Sequence, residues 1–257
     1  MSNSKYYTGT YFLPPAKHAE GKTADDFGIP MNYFGNGVEP HLYLIPTSLY
    51  KLHPAMDEAM SKLLIKDPLG LILMVEGKSS TWKDILNKRM SKTMPMDVFE
   101  RIIWIKPMKL PDYLAFIKLG AVIMFNYPIA SGVTVMESLS VGTPYVVYEG
   151  HSQGTVMRIE KGYLTALELE DVSCCIAYTV DDFVDKLYRF GNDREFRDRI
   201  SAEMLSKLEG RLYRNPNVVD DWIEFLHYIS RSPQPEQRRL LTETGIVGGK
   251  PSIRRNV

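Results

Sequence analysis

The strongest chemical signal lies between residues 121 and 149, in the sequence AVIMFNYPIASGVTVMESLSVGTPYVVYE. An apolar run, a turn of small residues, a helical pattern and a second apolar run follow one another, which predicts a β-α-β unit. The turn places backbone N–H groups at a positive helix end, an arrangement that binds phosphate. Glu137 lies one helical turn after Thr134, within reach of a sugar hydroxyl beyond that phosphate. The candidates for binding a phosphate and a ribose are Ser131, Gly132, Val133, Thr134 and Glu137.

Two further loops carry suitable residues after predicted strands. Ser48 and Lys51 follow the run LYLIP, and a lysine at this place could neutralise a diphosphate leaving group. Lys109 and Tyr113 follow the run RIIWIK, where backbone groups near Lys109 could contact the edge of a base and the ring of Tyr113 could stack on it.

Each of these loops also has an ordinary structural interpretation. Lys51 could be a solvated lysine before a helix, and Tyr113 could be a packing residue. Ser131 could cap a helix whose Glu137 is solvated, because the turn contains neither a Walker motif nor a G-x-G-x-x-G pattern. Residue type and spacing alone leave both interpretations open at all three loops.

The elements that must position these residues alternate along the chain. Apolar runs predict six strands, at 42–46, 70–77, 101–106, 121–127, 145–148 and 174–178, and helical patterns separate them. This alternation predicts an α/β fold, a doubly wound parallel Rossmann-like sheet with helices on both faces. In such sheets ligands bind outside the carboxyl ends of the strands, where the three loops lie.

Pattern and composition also divide the chain. We predict an irregular entry segment at 1–40, a Rossmann-like domain at 41–231 that carries the three candidate loops, and a basic, flexible tail at 232–257.

Composition and charge argue against several functional classes. The chain has 31 basic and 31 acidic residues, so its net charge gives no reason to expect a nucleic acid or an anionic membrane as partner. We expect no signal peptide and no membrane span, because no apolar run has the required pattern or length. The only cysteines, Cys174 and Cys175, are adjacent and predict buried thiols in a reducing, cytoplasmic compartment. The five histidines lack metal-ligand spacing, so we expect no metal.

Four stretches resemble a known family when they are taken in order. LYLIPTSLYKLHPAMD, LILMVEGKSSTW, PDYLAFIKLGAVIMFNYPIASGVTVMESLSVGTP and FGNDREFRDRI resemble the nucleotide-sugar half of protein O-GlcNAc transferases, over roughly residues 8 to 230. The resemblance implies the C-terminal half of a GT-B fold, which binds UDP-GlcNAc without a metal or other cofactor. The sugar would pass with inversion to a Ser or Thr hydroxyl of a protein acceptor.

By position, the resemblance also implies roles for the candidate residues. Lys51 would hold the diphosphate and be the catalytic residue, with Ser48 nearby. Tyr113 would stack on the base, with the backbone of Lys109 at the edge of that base. Gly132, Val133 and Thr134 would present N–H groups to the phosphates, and Glu137 would bind the ribose. The chain departs from the family at Ala130 and Val133, where the family's turn is richer in glycine and polar residues.

The sequence therefore predicts the donor-binding portion of an inverting glycosyltransferase that uses UDP-GlcNAc. We expect its partners to be the UDP-sugar and a protein acceptor, with an N-terminal acceptor domain or a partner chain completing the enzyme. One alternative is a non-catalytic nucleotide-sugar-binding or scaffolding module without an acceptor domain. A second is another GT-B enzyme, such as a nucleotide-sugar epimerase.

Overall fold

Six parallel strands form one sheet in the order β3-β2-β1-β4-β5-β6, so the predicted doubly wound α/β fold is confirmed. The computed structural model describes residues 17–231 except 78, 126, 128 and 150–158. The strands are short apolar runs with buried side chains, as expected when helices cover both faces of a parallel sheet. They are β1 (His41–Ile45), β2 (Gly70–Val75), β3 (Ile102–Ile105), β4 (Val122–Met124), β5 (Tyr145–Tyr148) and β6 (Ile176–Ala177).

Two strands are shorter than the sequence predicts. The run 121–127 is apolar except for Asn126, and β4 ends at Met124. The run 174–178 forms only the two-residue strand β6, because a 3-10 helix at Val172–Cys175 occupies its beginning. Cys174 and Cys175 are buried free thiols, as predicted.

Helices cover both faces of the sheet. Tyr43 and Leu44 are successive residues of β1, so their side chains point to opposite faces. Tyr43 lies against Gly191 of the seventh helix, and Leu44 lies against Gly120 at the end of the fourth. The helices are α1 (Ala55–Lys66), α2 (Ser80–Thr93), α3 (Met96–Phe99), α4 (Leu110–Leu119), α5 (Gly132–Ser140), α6 (Ile159–Leu167), α7 (Val180–Asn192), α8 (Arg194–Lys207) and α9 (Val218–Arg231).

These helices correspond to the helical patterns that lie between and after the predicted strands, with two differences. The sequence does not predict α3, which has only four residues and therefore no helical period to detect. Helical spacing in the sequence runs from Gln153 to Tyr163, whereas α6 is observed from Ile159 to Leu167, and positions 153–158 lie outside the described residues.

A buried polar network lies at the amino ends of the strands. The Asp67 carboxylate accepts hydrogen bonds from the Tyr43 hydroxyl (2.6 Å) and the Leu69 backbone N–H (3.1 Å), and it lies 2.8 Å from Nδ1 of His41. The Arg101 guanidinium donates to the backbone oxygens of Asp67 (2.8 Å) and Leu64 (2.6 Å), which lie at the C-terminal end of α1. This network satisfies buried polar groups. It lies at the amino ends of the strands, whereas the candidate site lies at their carboxyl ends.

The described residues divide into two compact units, which run from 17 to 215 and from 216 to 231. In the first unit, part of the predicted entry segment contacts α4, where the rings of Phe27 and Phe116 meet edge to face at 5.8 Å. The second unit contains α9, in which the rings of Trp222 and Phe225 are 5.8 Å apart. The tail predicted at 232–257 lies outside the described residues, and the domain limits at 40 and 231 stay predictions.

Candidate functional site

The strand order reverses between β1 and β4. The chain passes from β1 to β2 and β3 on one side, and from β4 to β5 and β6 on the other. The loops that follow the two central strands diverge at this point, and the crevice between their carboxyl ends is where open α/β sheets bind ligands. The segment Ser48–Lys51 follows β1, and the segment that ends at Ser131 follows β4.

The structure brings Lys51 and Ser131 together across this crevice. Lys51 ends a short 3-10 helix, Leu49–Lys51, that is held in place by the buried side chain of Leu49. Its Nζ donates to the Ala130 backbone oxygen at 3.0 Å and lies 3.5 Å from the Ser131 hydroxyl. Residues 80 positions apart in the sequence therefore place a cation at the beginning of α5.

Arg89 of α2 positions the segment that carries Lys51. Its Nη1 donates to the Leu52 backbone oxygen at 3.0 Å. Its Nε and Nη2 donate to the two carboxylate oxygens of Asp57 in α1, at 2.8 and 2.7 Å. This bidentate pair fixes the guanidinium and, through it, the backbone next to Lys51.

The first turn of α5 directs its N–H groups toward the crevice. Ser131 is the N-cap residue, and its backbone oxygen accepts from Val135 N–H at 3.0 Å. The N–H groups of Gly132, Val133 and Thr134 donate to no other described residue. This is the normal condition of a helix beginning, and it leaves three donors for an anion.

Tyr113, Thr134 and Glu137 form a second group along α5. The Tyr113 hydroxyl donates to the Pro46 backbone oxygen at 2.8 Å and also interacts with the Thr134 side chain. Burial, and then the nearby charge of Glu137, raise the pKa of Tyr113, while the Thr134 side chain opposes this. The sequence-predicted Tyr113 and Glu137 are therefore neighbours, although the tyrosine hydroxyl holds its ring to the end of β1.

Glu137 is half-buried, and burial raises the pKa of its carboxyl. The carboxyl makes no hydrogen bond or ion pair with another described residue. With a rise of about 1.5 Å per residue, Glu137 lies about 7.5 Å along α5 from Gly132, a spacing that suits a ribose next to a phosphate. The carboxyl is thus placed to accept hydrogen bonds from a ligand.

Three of the predicted residues lie at the edge of the site. Ser48 is exposed before the 3-10 helix, and its backbone oxygen accepts from Lys51 N–H at 3.0 Å. Lys109 is exposed at the N-cap of α4, and its backbone oxygen accepts from Tyr113 N–H at 2.8 Å. The side chain of Val133 is 71% exposed, so only its backbone faces the helix beginning.

Glu160 of α6 is a site residue that the sequence analysis missed. Its side chain is buried, and its Oε1 accepts a 2.6 Å hydrogen bond from the backbone N–H of Ser131. Glu160, Tyr163, Leu164 and Leu167 share the buried face of α6 at helical spacing. A charged residue on an otherwise apolar helix face was the signal that could have revealed it.

The carboxyl of Glu160 has an unusual environment. Burial raises its pKa to about 8, and nearby Glu149 adds to this, whereas the Ser131 hydrogen bond and the Lys51 charge act in the opposite direction. Glu149 is itself buried, with Lys161 Nζ at 3.4 Å from its carboxylate. The beginning of α5 thus lies between one lysine and a carboxyl that holds its proton near neutral pH.

None of the helices in the described part of the chain combines the length and apolar character that crossing a membrane requires. In the same residues, His, Cys, Asp and Glu side chains form no group of three or more that could hold a metal ion. The predictions of compartment, nucleic-acid partner and cofactor stay predictions.

No protein-family model matches the sequence, and a comparison with curated proteins finds no match. Among solved structures, an O-GlcNAc transferase of Thermobaculum terrenum matches with a TM-score of 0.65 and 16% identity, over 88% of this chain and 39% of its own. TarM of S. aureus matches with a TM-score of 0.52 and 12% identity, over 72% and 35%. A trehalose 6-phosphate synthase of Burkholderia multivorans matches with a TM-score of 0.50 and 13% identity, over 76% and 45%.

These similarities concern the fold. The chain spans less than half the length of each of the three proteins. At identities of 16% and below, the match shows that the described sheet and its helices have the Rossmann-like architecture found in GT-B glycosyltransferases.

Proposed function

We propose that this chain binds a nucleotide sugar, UDP-GlcNAc, in the crevice between β1 and β4, and that it is the donor-binding portion of an inverting glycosyltransferase. The acceptor in this proposal is a Ser or Thr hydroxyl of a protein, read by a further domain or a partner chain. The observation that supports it most directly is the meeting of Lys51 with the beginning of α5 at the reversal of strand order.

Each group has a role that follows from its chemistry. As the sugar leaves, negative charge develops on the departing diphosphate, and the Lys51 ammonium with the N–H groups of Gly132, Val133 and Thr134 would stabilise that charge. Glu137 would accept hydrogen bonds from the ribose hydroxyls, and Tyr113 would lie beside the nucleoside. All of these groups are held by helices or by Arg89, so little reorganisation is needed on binding.

The similar structures support the donor class in this proposal. One of them is an O-GlcNAc transferase, and the TarM structure was determined as a complex that contains UDP. The proposal further specifies uridine as the base and GlcNAc as the sugar.

Calorimetric titration of the 257-residue chain with UDP, GDP and ADP tests the proposal. We expect saturable binding that is selective for UDP, and a large loss of affinity in the Lys51→Ala, Glu137→Ala double variant. Lys62→Ala is a matched control, because Lys62 pairs with Asp181 on the surface formed by α1 and α7. Unchanged UDP affinity in the double variant, or no preference for UDP, would contradict the proposal.

The contact between Glu160 and Ser131 favours a second candidate, a nucleotide-sugar-binding module without transferase activity. A carboxyl already accepts the first N–H of the helix beginning, which leaves fewer donors for a leaving group. Release of UDP from UDP-GlcNAc by this chain alone, abolished by Lys51→Ala, would exclude the second candidate.

A further inference from the structure

Glu160 lies at the beginning of α5, where the diphosphate of the proposed donor would bind. Its side chain is 5% exposed, and its Oε1 accepts the Ser131 N–H at 2.6 Å. Lys51 Nζ lies 3.5 Å from the hydroxyl of the same Ser131. The carboxyl and a bound diphosphate would therefore share one cation and one helix end.

Among the described residues, the groups around Glu160 only partly offset the burial of its charge. The Lys51 ammonium, already donating to the Ala130 backbone, is the cation that acts on it. Glu149, after β5, is a second buried carboxyl, and Lys161 contacts Glu149. The Tyr145 hydroxyl of β5 donates to the backbone oxygen of Glu160 at 2.9 Å rather than to its carboxyl. Tyr163 lies one turn further along the same buried face of α6.

The packing leaves the carboxyl little freedom to move away. The beginning of α6 lies directly against the beginning of α5, because a Cβ added at Gly132 would lie 3.2 Å from the side chain of Ile159. A diphosphate bound in the proposed site would therefore lie beside Glu160 without displacing it, and the two groups would interact at short range.

We propose that Glu160 is a proton switch in the donor site: the site accepts a diphosphate when Glu160 is protonated, and binding drives a proton onto Glu160 when it is not. This inference rests on the proposed function, since it concerns the same diphosphate. A protonated carboxyl still accepts the Ser131 hydrogen bond through its carbonyl oxygen, so the helix beginning keeps its position in both forms.

The direction of the pH effect follows from the charges. Two anions that share one buried site repel, so the bound diphosphate favours the protonated carboxyl. The pKa of about 8 in the free protein leaves Glu160 mostly neutral at pH 7 and mostly charged at pH 9. If only the protonated form binds, the dissociation constant rises about tenfold between these two pH values.

The experiment compares the wild-type chain with Glu160→Gln, which keeps an oxygen for the Ser131 hydrogen bond and cannot ionise. UDP-GlcNAc is the probe, because its diphosphate is fully ionised over this range. We expect the wild-type dissociation constant to rise about tenfold from pH 7 to 9 and that of Glu160→Gln to change much less. Loss of the uracil proton at high pH affects both proteins and cancels in the comparison. Glu203→Gln, at a partly buried carboxyl of α8 that pairs with Lys207, is a control that should behave as wild type.

A second readout does not depend on the variant. At pH 8 the wild-type chain should take up about half a proton per UDP-GlcNAc bound, measured as the dependence of the calorimetric enthalpy on the ionisation enthalpy of the buffer.

The outcomes separate the inference from the proposed function. Equal pH dependence in wild type and Glu160→Gln, or no proton uptake at pH 8, would overturn the inference while leaving donor binding intact. No binding of UDP-GlcNAc by either protein at pH 6.5 would overturn the proposed function and the inference with it.

Discussion

Replacing Arg89 by alanine should destabilise the protein and weaken donor binding together. The variant removes two charge-assisted hydrogen bonds to Asp57 and one to the Leu52 backbone oxygen. The Asp57 side chain is 5% exposed and would be left as a buried, unpaired charge. Removing one partner of such a pair costs about 3 to 5 kcal/mol.

The lower end of that range applies because the Arg89 side chain is 23% exposed and water screens part of the pair. A loss of about 3 kcal/mol corresponds to a fall in Tm of roughly 6 to 12 °C for a chain of this length. The opposite change, Asp57→Ala, should cost less, about 1 to 2 kcal/mol, because the half-buried guanidinium can turn toward water. The double variant should therefore cost less than the sum of the two single changes.

The functional consequence comes from the backbone next to Lys51. When the Leu52 oxygen loses its donor, the segment that carries Lys51 is less well held, so UDP affinity should fall by up to about fivefold, the equivalent of one hydrogen bond. Thermal unfolding and calorimetry of the same variants measure both effects. The control is Lys62→Ala, which removes two exposed ion pairs of similar length, to Glu58 (2.9 Å) and Asp181 (2.8 Å), and should lower the stability much less because water screens them. The reasoning would be refuted if Arg89→Ala and Lys62→Ala lowered the free energy of unfolding equally. It would also be refuted if the losses in Arg89→Ala and Asp57→Ala added up exactly in the double variant.

Two further predictions concern the buried end of the sheet opposite the site. In Gly191→Ala, the new Cβ would lie 2.6 Å from Cζ of Tyr43, whose hydroxyl is tied to Asp67, so we expect a loss of roughly 3 kcal/mol in urea unfolding. In Gly77→Ala the new Cβ would have ordinary contacts at 3.7 Å, so the loss of unfolding free energy should be much smaller. Equal losses in the two variants would contradict the packing argument. Burial tends to raise the pKa of Asp67, but hydrogen bonds from His41 and Tyr43 outweigh it and leave the pKa lowered. The stability that ionised Asp67 contributes is thus present above its unfolded-state pKa and lost as the pH falls through the lower folded value, so the stability gap between wild type and Asp67→Asn should close below about pH 4. A gap that stays constant from pH 7 to 3 would count against this assignment.

The sequence alone determined the class of fold and selected the loops that carry the candidate residues. Apolar runs such as LYLI and YVVY have the length of buried strands, and the residues between them have helical spacing, so both signals are local. The rule that ligands bind at the carboxyl ends of parallel strands then selected Lys51, Ser131 and Glu137 without any knowledge of their distances. The sequence did not predict α3 or the 3-10 helix before β6, because these elements have too few residues to show a period.

Only the tertiary structure decided which of these residues meet. The order β3-β2-β1-β4-β5-β6 depends on pairing between strands far apart in the sequence, and it is this order that puts Lys51 beside Ser131. The same is true of Glu160: its sequence context is an ordinary amphipathic helix, and its chemistry arises from the packing of α6 against α5, which removes the carboxyl from water. Charge, spacing and apolar pattern are properties of neighbouring residues, whereas burial and the pKa that follows from it belong to the assembled fold.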